Sequence, residues 1–291
     1  MLYWRPLEHV VMKPEESIMA SMQVTDNHKT ERDLKPLIDG DPLIYRAGFS
    51  ADNALKREYK ESNPGASDEE VAQFLAEEDY VHHALHNVKV FLESVTSRFN
   101  PDYKLYVHAG GNFRDKIATI KPYKGNRDRS HVPKYKKEIQ EYMLSVWNGI
   151  PVRGIESDDA ICMEQHRNTD KYSVIVSIDK DILNGMYGWS YNPMRDELKF
   201  TTPQEANNFF FWQMLVGDTS DNIPGINKIG PKKASAIIEE AKGDTDKIRE
   251  VVKSLYQKQY GEDWERAYHE VGTLLYILRR PEELDKGSPL L

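Results

Sequence analysis

Four short motifs place acidic residues close together along the chain. They read IDGD at 38–41, IESDD at 155–159, SIDKD at 177–181 and GDTSD at 217–221. Paired carboxylates repel each other, so several pairs in one place are unfavourable unless cations neutralise them. Mg²⁺ or Mn²⁺ suits such a site, because carboxylates and water hold these ions and leave positions for phosphate oxygens. Two ions about 4 Å apart can hold both the attacking and the leaving oxygen of a phosphodiester displacement.

Each motif alone has a simpler explanation. An Asp at a strand end or a helix start is most often a cap, and a DxD pair also suits a glycosyltransferase or a phosphatase. Because all four motifs follow an apolar segment, one shared metal site is favoured over four separate caps.

The surrounding elements predict where these acids meet. Strands are predicted over DYKLYVHA (102–109) and YSVIVSI (172–178). Two further strands are predicted to end at Asp39 and near RGI (153–155). A long amphipathic helix is predicted over 67–98, and another begins near Asp158. This order predicts an α/β fold with a mostly parallel sheet flanked by helices. Ligands bind at the carboxyl ends of such strands, which is where the acids lie.

The final third of the chain is predicted to be helical. Residues 196–202 suggest a hairpin at the sheet edge, and Thr202, Pro203 and Glu205 then start a helix. A further helix is predicted to begin at Pro231. We therefore divide the chain into an N-terminal extension (1–34), an α/β core (35–202) and a helical region (203–291).

Composition fits a soluble protein in a reducing compartment. The 291 residues are 39% hydrophobic and 30% charged, with one cysteine, Cys162. We find no apolar run long enough for a membrane span and no secretory signal, so a cytoplasmic location is expected. A net charge of −8 argues against a polyanionic partner, unless many of the acids converge on cations. The nine histidines show no metal-binding spacing, which favours oxygen-binding metals.

The loop after the fourth motif could contact phosphate. Gly225 and Gly230 bracket INKI, and two lysines open the next helix. Backbone N–H groups and a helix N-terminus are suited to a phosphate. The alternative is an ordinary helix–turn–helix whose lysines are simply solvated.

Longer motifs carry a resemblance to a known family. FRDKI (113–117), PYKGNR (122–127), GIESDDA (154–160), SIDKD and GDTSDNIPGINKIGPKKA resemble the 5′-nuclease superfamily over about residues 35–280. The chain is most similar to stand-alone bacteriophage enzymes and also to the nuclease domain of bacterial DNA polymerase I. The resemblance implies a PIN-like nuclease core, a helical arch at about 113–148 and a C-terminal helix–turn–helix-like DNA-binding region.

The resemblance also implies an activity. We expect a metal-dependent 5′→3′ exonuclease and flap endonuclease that acts on DNA 5′ ends, flaps and single-stranded arms in phage DNA replication or recombination. It would work as a monomer in the host cytoplasm. Removal of RNA primers from RNA–DNA hybrids, as by a ribonuclease H, is an alternative. So is a catalytically silent protein that binds DNA structures.

The residues that match the family's motifs fall into three groups. The metal group, for two or more Mg²⁺ or Mn²⁺ ions, is Asp39, Glu156, Asp158, Asp159, Asp179, Asp181, Asp218 and Asp221. The catalytic group that contacts phosphate and the terminal base is Arg46, Tyr123, Lys124 and Arg127. The DNA-binding group is Lys134, Lys136 and Lys137 in the arch, with Gly225, Lys228, Gly230, Lys232 and Lys233 in the loop, where main-chain oxygens would hold K⁺.

One position departs from the family pattern. The family has an acid at the end of the second strand, where this chain reads YVHAGGNFR and places His108. We expect Asp41 or water to replace the missing contact.

Overall fold

The computed structural model describes residues 30–128, 130–168 and 172–291. A central sheet contains six strands: β1 (Lys35–Asp39), β2 (Lys104–His108), β3 (Ile150–Val152), β4 (Ser173–Val176), β5 (Gly188–Asn192) and β6 (Glu197–Thr201). Their order across the sheet is β3-β2-β1-β4-β5-β6. Among the described strands of this sheet, β5 and β6 pair antiparallel and the other neighbours pair parallel. The predicted mostly parallel α/β fold is therefore confirmed.

Helices surround the sheet and form the C-terminal region. Those of the first two thirds are α1 (Gly40–Ser62), α2 (Asp68–Glu77), α3 (Val81–Arg98), α4 (Arg114–Ile117), α5 (Lys136–Ser145), α6 (Ser157–Arg167) and α7 (Lys180–Gly185). The remainder are α8 (Pro203–Val216), α9 (Pro231–Glu240), α10 (Thr245–Tyr260), α11 (Trp264–Leu275) and α12 (Glu283–Lys286). No helix in these described ranges is long and apolar enough to cross a membrane.

Alternation along the strands buries both faces of the sheet. Leu37 and Ile175 pack with residues of α6 and α7 on one face, whereas Ile38 and Val176 pack with α1, α3 and α5 on the other. Strands covered on both faces read as continuous apolar runs. This explains why YSVIVSI is so uniformly apolar.

A third core lies among the C-terminal helices. Phe210, Phe211 and Met214 of α8 pack against α10 and α11, and the Tyr256 hydroxyl donates to the Met214 carbonyl at 2.9 Å. Beyond α8, two short strands, β7 (Gly217–Asp218) and β8 (Ile223–Pro224), form a tight hairpin. The helical final third is confirmed, while its separation at residue 203 as a domain remains a prediction.

Two predicted elements differ from the structure. The single helix over 67–98 is two helices, α2 and α3, although the predicted capping box of Ser67 and Glu70 is present. Glu77, Glu78 and Asp79 lie where α2 ends, and negative charge is unfavourable at a helix C-terminus. The strand predicted to end near RGI stops at Val152, because Gly154 has a φ of +79°, outside the extended region.

The predicted helical arch is only partly helical. Within 113–148, the structure has helix over α4 and α5, and the described residues between them are irregular. Pro122 and Pro133 interrupt this stretch, and proline cannot donate a helical hydrogen bond. The predicted N-terminal extension lies, up to residue 29, outside the described residues.

Candidate active site

A large cleft collects acids from three separate segments. Asp39, Asp41, Glu156, Asp158 and Asp179 all line this cavity of about 1270 Å³. Asp39 ends β1, and the other segments follow β3 and β4. Because parallel strands end at one edge of a sheet, residues distant in sequence meet there. The predicted meeting of these acids is therefore present in the structure.

The same acids also begin helices. An Asp39 Oδ1 accepts the Asp41 N–H at 3.2 Å at the start of α1, and Asp179 Oδ1 accepts the Asp181 N–H at 2.9 Å at the start of α7. Glu156 is the N-cap residue of α6. The partial positive charge of a helix N-terminus stabilises a carboxylate. Capping and a shared site are thus compatible roles for these residues.

Asp41 is a site residue that the predicted metal group omits. Its oxygens accept the His108 N–H at 3.0 Å and the Ser157 hydroxyl at 2.8 Å. The end of β2 therefore contributes a backbone donor that holds Asp41. The motif IDGD carried the signal, since it contains Asp41 beside Asp39. Ser177, whose hydroxyl donates to Asp39 at 2.8 Å, had no such signal in the sequence.

Crowding of carboxylates shifts their ionisation. Burial, followed by the charge of Asp41, raises the pKa of Asp39 to about 8. Burial, with the charges of Asp39 and Asp179, also holds the pKa of Asp158 well above its usual value. These shifts have the direction that a bound cation would reverse.

Asp181 and Asp218 form a neighbouring acidic pair. Burial, with the charges of Asp179 and Asp218, raises the pKa of Asp181 to about 8. Burial also acts to raise the pKa of Asp218, but hydrogen bonds from Ser220 and the charge of Lys180 lower it below its usual value. The buried amide of Gln213 donates to Asp181 Oδ1 at 2.9 Å, a contact that sequence reasoning missed.

Two loops bring basic residues to the acids. The Lys124 side chain donates to Glu156, and Arg127 Nη2 donates to Asp221 Oδ1 at 2.5 Å. Main-chain contacts join the same loops, including the Lys124 N–H to the Asp221 carbonyl at 2.9 Å. The PYKGNR and GDTSDN segments therefore lie against each other, although about ninety residues separate them.

Glu156 is ionised in this setting. Burial acts to raise its pKa, but the charges of Arg114 and Lys124 outweigh burial, so the pKa of Glu156 lies below its usual value. Glu156 and Asp221 are thus neutralised by protein cations, whereas Asp39 and Asp158 face other acids. The cleft has an acid-rich side and a salt-bridged side.

Tyr123 connects the two loops at the edge of the cleft. Its side chain is buried, and its hydroxyl donates to Glu156 Oε2 at 3.0 Å and to Asp221 Oδ2 at 2.9 Å. Because so little of its surface is exposed, Tyr123 is not placed to stack on a terminal base in this structure, and that role stays a prediction. Tyr123 instead joins the two loops beneath the acids.

Asp159 is also removed from the metal group. It is fully buried, and Arg114 binds it through two hydrogen bonds, of 2.6 Å and 2.9 Å. Both oxygens are occupied by the guanidinium and by backbone N–H groups. Its carboxylate is therefore part of a buried ion pair rather than a free metal ligand.

The arch lysines differ in their surroundings. Lys134 Nζ donates to the carbonyls of Leu75, Ala76 and Glu78 at 2.7–2.9 Å, so it binds the C-terminal end of α2 rather than DNA. The DNA-binding prediction for Lys134 is corrected accordingly. Lys136 donates to the Tyr45 hydroxyl. Both Lys136 and the exposed Lys137 line the cleft.

The remaining predicted contacts lie at exposed positions. Arg46 is exposed on α1 and borders a small pocket that also contains Asp39. Lys228, Lys232 and Lys233 are exposed around the start of α9, where Gly230 is the N-cap residue. At Gly225, an added Cβ would lie 2.2 Å from the Val216 carbonyl carbon. Glycine is therefore required there by backbone approach, independent of any K⁺.

The donor set fits a hard divalent cation, since it consists of carboxylates crowded enough to raise one another's pKa. Across residues 30–128, 130–168 and 172–291, however, no three His, Cys, Asp or Glu side chains are already arranged to hold a metal ion. Asp39, Asp41, Asp158 and Asp179 line this edge of the cleft together.

Comparison with known proteins agrees with the fold. No family model matches the chain. The structure is similar to that of the T5 D15 protein co-crystallised with metal ions, with a TM-score of 0.50 and 16% identity. The match covers 83% of this chain and 90% of that one. At this identity the likeness establishes the fold.

Sequence relatives point the same way. DNA polymerase I of Lactococcus lactis strain IL1403 is 25% identical over 249 residues, which cover 77% of this chain and 26% of the polymerase. The 5′-3′ exonuclease of Aquifex aeolicus is 29% identical over 174 residues, covering 54% of this chain and 59% of that protein. The chain thus spans about a quarter of the polymerases that it matches. The predicted resemblance to bacterial DNA polymerase I and to a 5′-3′ exonuclease is confirmed.

Proposed function

We propose that this protein is a divalent-metal-dependent 5′→3′ exonuclease and flap endonuclease that hydrolyses DNA from 5′ ends. The observation that carries the proposal is the cleft that Asp39, Asp41, Asp158 and Asp179 line together with Lys124 and Arg127. A cleft lined by both acids and bases suits a phosphodiester held between cations and protein donors. The named 5′-3′ exonuclease among the relatives supports the same reaction.

The acids and the bases that line the cleft have different roles in this mechanism. Asp39, Asp41, Asp158, Asp179 and, once Lys124 has left it, Glu156 would hold Mg²⁺ or Mn²⁺, which supplies Lewis acidity and an activated water when bound. Lys124 and Arg127 would leave their salt bridges with Glu156 and Asp221 and donate to the scissile phosphate. Their fixed positive charge stabilises the charge that develops there. Cleavage between phosphorus and the 3′ oxygen leaves a 5′-phosphate on the product.

DNA would also meet two basic surfaces, one along the cleft and one at the start of α9. Lys136 and Lys137 would guide a single-stranded 5′ arm, and Lys228, Lys232 and Lys233 would contact duplex backbone near the start of α9. The main-chain oxygens of 225–230 would bind K⁺ beside the duplex, and Arg46 would contact a phosphate. The protein would act as a monomer in phage DNA replication or recombination in the host cytoplasm.

A cleavage assay with 5′-labelled and 3′-labelled DNA, as duplex and as flap, tests the reaction. The wild type is expected to release 5′ fragments with Mg²⁺ or Mn²⁺ and none with EDTA. Asp179→Asn should lower the rate by roughly two to four decades, equivalent to about 3–5 kcal/mol of barrier. Asn retains the oxygen that caps α7, so the loss would reflect charge rather than unfolding.

The exposed Asp102, paired with Lys35 at the opposite end of β2, provides the control variant Asp102→Asn. It should cleave at the wild-type rate. Equal activity of Asp179→Asn would contradict the mechanism. Tight DNA binding without cleavage in either metal would instead identify a silent DNA-binding protein. Faster cleavage of an RNA–DNA hybrid than of flaps would favour primer removal.

A further inference from the structure

A buried arginine lies behind the salt-bridged side of the cleft. The Arg114 side chain is only 2% exposed, and its guanidinium makes two hydrogen bonds to the fully buried Asp159. Burying an ion pair is unfavourable unless further hydrogen bonds satisfy the remaining donors and acceptors. Here those further bonds lead in two directions.

One direction leads to the C-terminal region. Arg114 Nε donates to the Leu274 carbonyl at 3.1 Å, and Nη2 donates to the Tyr276 carbonyl at 2.7 Å. The Leu278 N–H donates to Asp159 Oδ1 at 2.9 Å. The pair thereby binds the chain where α11 ends and the backbone turns away from it.

The other direction leads to the cleft. Asp159 Oδ2 accepts the Glu156 N–H at 3.1 Å, which fixes the backbone at the start of α6. Arg114 Nη1 also lies 3.5 Å from Glu156 Oε2. Both the backbone and the carboxylate of Glu156 are therefore oriented by groups that themselves hold residues 274–278.

We propose that Arg114, acting through Asp159, is a positioning residue that sets the Glu156 carboxylate in the metal site and couples it to segment 274–278. The inference rests on the proposed function, because it assigns Glu156 to that site. Because of this coupling, the affinity for the cation should depend on how the C-terminal helices pack against Arg114 and Asp159. Residues that orient a metal ligand from behind typically alter metal affinity about 10- to 100-fold when replaced.

The test variant removes both charges together. Arg114→Met with Asp159→Asn leaves no unpaired buried charge, so the protein is expected to fold. The control is Lys104→Met with Glu164→Gln, a salt bridge at the other end of β2 and α6. Calorimetric titration with Mn²⁺ should show binding weakened about 10- to 100-fold in the test variant and unchanged in the control.

A conservative variant and a second readout separate positioning from mere folding. Arg114→Lys retains the charge but lacks the two-pronged contact, so its Mn²⁺ affinity should fall between those of the wild type and the double variant. Mn²⁺ should slow amide hydrogen exchange across 274–278 in the wild type and not in the double variant. Circular dichroism and thermal unfolding establish that each variant is folded.

The outcomes are distinguishable. If the folded double variant or Arg114→Lys binds Mn²⁺ as tightly as the wild type, the pair is structural only and the positioning role is overturned. Equal slowing of exchange in the double variant would overturn the coupling. If the wild type itself binds no Mn²⁺, the proposed metal site fails, and this inference fails with it.

Discussion

At the scale of single residues, Asp181 has the clearest pH dependence. Its pKa is about 8 in the folded protein, because of burial and of Asp179 and Asp218, and its ordinary value is 3.8. A raised pKa stabilises the fold fully below the unfolded value, and that contribution is lost as the pH rises through the folded value. Without metal, the protein should therefore lose stability between about pH 4 and pH 8.

Replacing Asp181 with Asn should remove this dependence. Asn still accepts a hydrogen bond from the Gln213 amide but cannot ionise. The stability of Asp181→Asn relative to the wild type should therefore increase as the pH rises. We expect the difference in free energy of unfolding to grow by about 2 kcal/mol between about pH 5 and pH 8, after allowance for partial exposure. Urea unfolding at each pH in EDTA measures it, with Asp102→Asn as the control. If the difference in free energy of unfolding stays constant with pH, burial and the neighbouring acids do not raise the pKa of Asp181.

At the scale of elements, close backbone packing at the β7–β8 hairpin requires glycine at Gly225, directly after β8. A Cβ at Gly225 would lie 2.2 Å from the Val216 backbone, whereas one at Gly230 would meet nothing within 4 Å. Gly225→Ala should therefore destabilise the protein by about 1–3 kcal/mol through overpacking. Gly230→Ala should have a much smaller effect. Urea unfolding of the two variants makes the comparison, and equal losses would disprove it.

The loop that carries Lys134 is held by the end of α2. Lys134→Gln removes a cation from three carbonyls at a helix C-terminus and should cost about 0.5–1 kcal/mol of stability. Its DNA affinity should keep the wild-type salt dependence. Lys137→Gln should do the reverse, leaving stability unchanged and lowering the salt slope of DNA binding by about 1. Measuring DNA affinity at several salt concentrations tests both predictions. An unchanged slope for Lys137→Gln would show that Lys137 does not contact DNA phosphate.

At the scale of the whole molecule, metal binding should be linked to pH. Cations need ionised ligands, so protons compete at Asp39, whose pKa of about 8 reflects burial and Asp41. Mg²⁺ or Mn²⁺ should raise the melting temperature more at about pH 8 than at about pH 5. At 100 times the dissociation constant, the gain is about 2.7 kcal/mol.

Thermal unfolding with and without EDTA measures this linkage. Asp39→Asn should lose most of the metal-dependent stabilisation, and Asp102→Asn should keep all of it. Metal-dependent stabilisation that survives in Asp39→Asn would move the site away from the end of β1.

Net charge has a local meaning in this molecule. The overall −8 would repel DNA if it were evenly spread. Instead, several acids are concentrated in the cleft, and exposed lysines lie beside the cleft and at the start of α9. The acids that seem to argue against a nucleic-acid partner are those proposed to bind its metal ions.

Local patterns in the sequence were sufficient to place most elements. The capping boxes of Ser67 with Glu70 and Thr202 with Glu205 are present where the spacing predicts them. Alternating strands and helices predicted the parallel sheet, and with it the meeting of Asp39, Glu156, Asp158 and Asp179. These inferences succeed because caps and periodicity depend on neighbours within a few residues.

Side-chain partners were decided only by the tertiary structure. Tyr123 and Lys134 lie in segments whose composition suggests exposure and DNA contact, yet packing buries one and ties the other to α2. Asp159 belongs to the same motif as Glu156, but Arg114, 45 residues earlier, occupies its oxygens. Spacing along the chain does not encode such contacts, because they depend on how distant segments pack and on which charges that packing buries.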